Sequence, residues 1–130
     1  MTFALPANHI CDQLVGPFYD TAGLIRWWGV SKHAVTKAAS TGTVIACQRD
    51  GGGWVYPTWQ FTNETGTVHP DLLTLWLILR ATGDPWTCAL WLRAPQGQLC
   101  NRTIADWIID GNPLDDVLPL ARAAANTWGR

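Results

Sequence analysis

Apolar and polar positions change period twice along this chain, and the changes mark out its elements. Leu24, Ile25 and Trp28 recur at helical spacing, with Thr21 on the same face and Arg26 pointing the other way. Asp20 or Thr21 can cap this first helix. Gly29-Val30 supplies a sharp turn, the glycine taking a dihedral that other residues resist. A second helix then opens at Ser31, a good N-cap, and closes before Gly42. At about 100° per residue, Lys32, His33, Thr36, Lys37 and Ser40 share one face of it, and Ala34, Val35, Ala38 and Ala39 share the other. The small apolar side would sit close on the first helix through Val35, leaving the polar side open.

The period then shortens to two. Residues 44–47 read as a strand, Asp50-Gly51-Gly52-Gly53 as a turn, and 54–56 as the return strand. Pro57 has no amide to give a ladder, so the strand ends or lies at an edge there. Asn63-Glu64-Thr65-Gly66-Thr67 is a second turn, after which the helical period returns. A helix over 70–82 carries Leu72, Leu75, Trp76 and Leu79 on one face and is closed by Gly83. Asp84-Pro85 opens another over 86–93, pairing an N-cap with a proline at the first helical position. Ala94-Pro95-Gln96-Gly97 breaks the chain. Thr103, with Asp106 three residues on, starts a helix over 104–109 that Gly111 ends. Asn112-Pro113 begins a last one, with Leu114, Val117, Leu118 and Ala121 on a common face. The expectation is a mainly α fold with a small β-hairpin: an N-terminal arm over 1–18, a winged helix-turn-helix over 19–62, and a compact helical bundle over 68–130.

Composition sharpens this. With 130 residues and 48% apolar content, disorder is not expected, and a net charge of −1 excludes a general polyanion binder. The charge is unevenly placed. Between Thr21 and Arg49 the basic residues are Arg26, Lys32, Lys37 and Arg49, with no acid at all. A local cationic face on a neutral protein suits a salt-sensitive contact with double-stranded DNA. The candidate contacts are Arg26, Ser31, Lys32, His33, Thr36, Lys37, Ser40 and, near the hairpin tip, Arg49. The rival view of the same face is an ordinary solvated helix side, and a glycine-rich tip that touches nothing.

The nine tryptophans divide. Trp76, Trp91 and Trp107 fall among aliphatics at helical spacing and should be core, whereas Trp27, Trp59 and Trp128 do not fit a buried stripe and would anchor a protein partner if exposed. The four cysteines (Cys11, Cys47, Cys88 and Cys100) have no Cys-x-x-Cys pair, so buried free thiols in a reducing cytoplasm are expected. His9-Ile10-Cys11 has no second pair at ligand spacing, and neither a metal nor a cofactor is expected. No apolar run is long enough for a membrane span. Catalysis is not expected either. The Asp115 and Asp116 carboxylates diverge on a helix, Ser31, His33 and Asp20 are too close in sequence to form a triad, and Gly51-Gly52-Gly53 lacks the Lys-Ser of a phosphate loop.

The C-terminal half resembles the Xre/MbcA/ParS-type toxin-binding domain of bacterial antitoxins. The residues that carry the likeness are Asp84-Pro85-Trp86, Trp91-Leu92-Arg93-Ala94-Pro95, Leu99-Cys100-Asn101-Arg102-Thr103, Asp110-Gly111 and Val117-Leu118-Pro119-Leu120-Ala121-Arg122-Ala123. The N-terminal half, from Gly29-Val30-Ser31 to Trp59-Gln60-Phe61, is similar to the DNA-binding part that precedes this domain in actinobacterial members. Asn101 stands where that family has glycine, and Ile104 where it has proline. The resemblance implies a regulator that binds its operator DNA and, through its C-terminal segment, a toxin, often an enzyme that consumes NAD. It would set Asn126, Thr127, Trp128 and Arg130 at the toxin surface. A homodimer is the weaker expectation. Two other readings compete: an excisionase- or repressor-like protein of a phage or mobile element, and an adaptor that inhibits a host protein without touching DNA.

Overall fold

In a computed structural model, which describes residues 13–62 and 66–129, the chain is mainly helical with a small antiparallel sheet. Strand β1 (Phe18–Asp20) leads directly into α1 (Thr21–Trp28), and α2 (Lys32–Thr41) follows across a short turn. Both helices are set by local chemistry. Asp20 accepts the Gly23 amide at 2.7 Å, Ser31 Oγ accepts the Ala34 amide at 3.1 Å, and Gly29 and Gly42 close the two helices with φ of 69° and 81°.

Strands β2 (Cys47–Gln48) and β3 (Trp54–Pro57) form the hairpin, in register Cys47↔Val55 and Gln48↔Trp54. The sheet has a third strand that the hydropathy pattern does not announce. β1 pairs with β3, Tyr19 opposite Tyr56, so the order is β1-β3-β2. Part of the expected arm is therefore built into the fold: Val15 is buried, and its carbonyl accepts from Trp59 Nε1 at 2.6 Å. The expected strand over 44–47 is also shorter than its pattern. Ile45 has no strand neighbour; the side-chain amide of buried Gln60 takes that place. Gln60 Oε1 accepts from Ile45 N, and Nε2 donates to Ile45 O, each at 2.7 Å, and to Pro57 O at 3.0 Å. A carboxamide is the one side chain that can imitate a peptide group in this way.

The hairpin is the shared wall of two apolar clusters. Val44, Ala46 and Tyr56 face Leu24, Val35 and Ala39, whereas Ile45, Cys47 and Val55 face the C-terminal helices. That alternation is the two-residue period put to use on both faces. Those helices are α3 (Pro70–Arg80), α4 (Pro85–Arg93), α5 (Ile104–Ile109) and α6 (Leu118–Trp128), with α3 lying along α6. Asp84 accepts the Thr87 amide and Thr103 the Asp106 amide, as the capping patterns require. A two-residue ribbon, β4 (Pro95–Gln96) with β5 (Arg102–Thr103), fills the break between α4 and α5. Asn101 in this ribbon has φ of 67°, so it occupies the left-handed conformation that a glycine would take without strain.

Trp76 is core, whereas Trp91 and Trp107 are only half-buried at its edge. The three tryptophans that fit no buried stripe have partners inside the fold. Trp27 stands against Phe61 and Tyr19, Trp59 bonds Val15 and lies under Arg93, and Trp128 packs on Gly83. Gly83 is needed for space and not for its dihedral: a Cβ there would lie 2.7 Å from the Trp128 ring and 2.9 Å from Cys88 Sγ. Cys47 and Cys88 are buried, but Cys100 is exposed, on a left-handed backbone at φ 56°. His9 and Cys11 lie outside the described residues. Among the described residues no helix is long and apolar enough to cross a membrane.

Candidate nucleic-acid interface

The candidate surface is built from α2 and the hairpin tip. Val35 and Ala39 hold α2 down on Leu24 and Tyr56. Ser31, Lys32, His33, Lys37 and Ser40 are exposed, and Thr36 is half-buried. Ala34, expected on the packed side, is exposed as well. The buried stripe is narrow, because only small side chains separate α2 from its neighbours. The helix therefore projects from the body over most of its circumference.

The polar groups on this face are not equivalent. Thr36 Oγ donates to the carbonyls of Lys32 and His33 in its own helix, and Ser40 Oγ to that of Lys37. Their protons are spent, and what they offer outward is lone pairs, which suit the exocyclic amino groups of cytosine or adenine better than a phosphate. Ser31 is the reverse case. Its oxygen caps Ala34, and its proton remains available. Lys32, His33 and Lys37 supply donors that no side chain opposes on this helix, which carries no acid.

Lys32 and Thr36 also line a groove of about 490 Å³ with Asp20, Thr21, Ala22, Gly52, Gly53 and Trp54. It runs between α2, the first turn of α1 and the hairpin tip. The tip is ordered by its own bonds: Arg49 N donates to Gly53 O at 2.8 Å, Gly52 N to Arg49 O at 2.9 Å, and Gln48 Nε2 to Gly52 O at 3.0 Å. Trp86 Nε1 holds the Gln48 carbonyl at 2.9 Å and so ties the hairpin to α4. Buried Tyr56 meets Thr21, one of the groove residues, at Oγ at 3.0 Å. Burial lifts the Tyr56 phenol above its usual range against the Thr21 bond, with nearby Asp20 adding to the rise.

Not every expected contact joins this surface. Arg26 is exposed but lines no part of the groove. Arg49 is half-buried with its guanidinium 5.4 Å above the Phe18 ring, so it braces the hairpin against β1 and is not a free phosphate ligand. In the C-terminal segment Asn126 and Thr127 are exposed, Trp128 is covered by its packing on Gly83, and Arg130 lies outside the described residues. Asp20, Gly53 and Trp54 were not anticipated as groove walls. The run of three glycines was the only hint of them, and it reads equally well as a plain turn.

Comparison with known proteins bears on the fold. The solved structure titled "NMR structure of Rv2175c" is similar to this chain, with a TM-score of 0.65 over 85% of this chain and 80% of that one, at 24% identity. At that identity the likeness concerns the fold alone. No protein-family model matches the chain, and no curated protein is significantly similar to it.

Proposed function

We propose that this protein is a DNA-binding regulator whose second helix enters the major groove. The observation that carries the reading is the partition around α2. Lys32, His33 and Lys37 stand exposed on a capped helix that is fixed through buried Val35 and Ala39, with an ordered hairpin beside it. Lys32 and Lys37 meet phosphates and set orientation, while His33 and the outward oxygens of Thr36 and Ser40 face base edges. The body around the helix is near neutral, so affinity is modest and falls steeply with salt. Buried Cys47 and Cys88 suit a reducing cytoplasm.

The C-terminal helices then serve a protein partner. In the antitoxin family that this half resembles, the partner is a toxin, often NAD-consuming. Here it would meet Asn126 and Thr127, which are exposed at the end of α6.

The test is anisotropy of labelled duplex DNA against salt concentration. Replacing Lys32 or Lys37 with alanine should flatten the log–log salt slope by about 0.9 per lost phosphate contact. His33→Ala should leave the slope unchanged and relax base preference at one position, by about 1–3 kcal/mol if the contact is direct. Binding that is absent, or that ignores salt in every variant, would leave the adaptor reading in its place. Asn126→Arg and Thr127→Arg probe the partner face, and full capture of the same host protein by both variants would remove these residues from it.

A further inference from the structure

The hairpin tip carries a glycine that the fold does not require. Gly51 and Gly52 have φ of 93° and 95°, where a side chain is strained. Gly53 lies outside that range, and a Cβ built on it would meet nothing within 4 Å. Glycine costs conformational entropy in a folded hairpin, so a position where any residue would fit gains nothing for stability by having no side chain. Gly53 lines the groove beside Gly52 and Trp54, with Lys32 and Thr36 on the α2 side, and adds no side chain to it. No side chain among the described residues takes the Lys32 ammonium. The groove thus offers an uncommitted cation, an indole edge and bare backbone along one channel.

We propose that one DNA strand lies in this channel, with a phosphate on Lys32 and the adjoining deoxyribose against Gly53 and Trp54. The proposal rests on the DNA-binding reading above and deepens it. The strand is held from two sides, by helix and hairpin, and is not merely touched by an exposed helix face. Sugar and phosphate suit the channel because ammonium and phosphate pair by charge, while glycine and indole tolerate any sequence. Asp20 also lines the groove and opposes a phosphate there. Its Oδ1 accepts the Gly23 amide at 2.7 Å, and a hydrogen bond of this kind does not cancel the repulsion between a carboxylate and a phosphate. Asp20 therefore weakens binding without blocking it.

The experiment is a double-variant cycle on duplex DNA affinity, with thermal unfolding of each protein as the check on folding. Gly53→Leu places a side chain in the channel from a position with room for it. It should leave the melting temperature unchanged or slightly raised and weaken binding by about tenfold, the scale of one charge-assisted contact. Its effect should be non-additive with Lys32→Ala, since both remove the same phosphate, and additive with Lys37→Ala, which does not line the channel. Asp20→Asn, which keeps an equally good cap, should tighten binding by about two- to fivefold at low salt. Wild-type affinity in Gly53→Leu, or additivity with Lys32→Ala, overturns the channel. If Lys37→Ala still weakens binding in that case, the helix reading survives and the groove serves something other than DNA. Should the wild-type protein bind no duplex at all, both fall.

Discussion

Gln60→Met tests how the hairpin is held beside α2. The substitution keeps length and volume and removes one acceptor and two donors from a fully buried site. Three backbone groups lose their partner: the Ile45 amide and carbonyl, each at 2.7 Å, and the Pro57 carbonyl at 3.0 Å. An orphaned buried polar group costs about 1–3 kcal/mol, with amides toward the upper end because a carbonyl has a second lone pair to place. The expected loss is about 3–5 kcal/mol, a large part of the roughly 5–15 kcal/mol that holds a domain of this size. Melting temperature should fall by about 10–20 °C. Urea unfolding followed by both tryptophan fluorescence and circular dichroism measures it. The exposed Gln48→Met, which loses a single bond to Gly52, should stay within about 0.5 kcal/mol if that bond contributes little. A loss below about 1 kcal/mol for Gln60→Met would mean that Ile45 finds other partners, and that the side chain does not stand in for a strand.

Further outcomes follow from the packing and the caps. Gly83→Ala forces a methyl into the Trp128 ring and Cys88 Sγ, and should cost about 1–3 kcal/mol, with a red shift in emission as Trp128 leaves its seat. Thr103→Ala removes the cap on the Asp106 amide and should cost about 1 kcal/mol by urea unfolding, without changing DNA affinity. The Cys88 thiol is pushed from its ordinary 9.0 up to about 12 by burial, which Arg80 opposes and Asp84 reinforces. Below pH 9 both states keep the proton. From there to about pH 12 the unfolded chain loses it first, so stability should fall as pH rises, and more steeply than in Cys88→Ala. A disulfide exchange reagent at pH 8 should label exposed Cys100 in the native protein and reach Cys88 only after unfolding.

What was legible in the sequence was what short-range chemistry decides. Ser31, Asp84 and Thr103 cap because the donor lies three residues away, and Gly29 and Gly42 end helices because their own dihedrals demand it. The elements that escaped depend on distant partners. β1 is three residues long and becomes a strand only against β3, which lies far along the chain. Gln60 reads as a polar residue after a hairpin until Ile45 is seen to lack a neighbour. Gly83 was expected to close a helix, and its real constraint is a tryptophan ring more than forty residues on. At the candidate site the cationic face of α2 was visible because it follows helical period. The groove was not, since Asp20 and the adjacent pair Gly53-Trp54 come from distant parts of the chain with no common pattern. A long cation or a ring near a chain reversal shows no partner in sequence, whereas Arg49 lies over Phe18 and Trp128 packs on Gly83.

Titration of the isotope-labelled protein with a short duplex, followed by amide chemical shifts, bears most directly on the central claim. Shifts should concentrate at residues 31–40 and 49–54 and weaken together as salt is raised, while 114–129 stay still. Shifts confined to α5 and α6, or none at low salt, would contradict the assignment of α2 as the element that meets DNA.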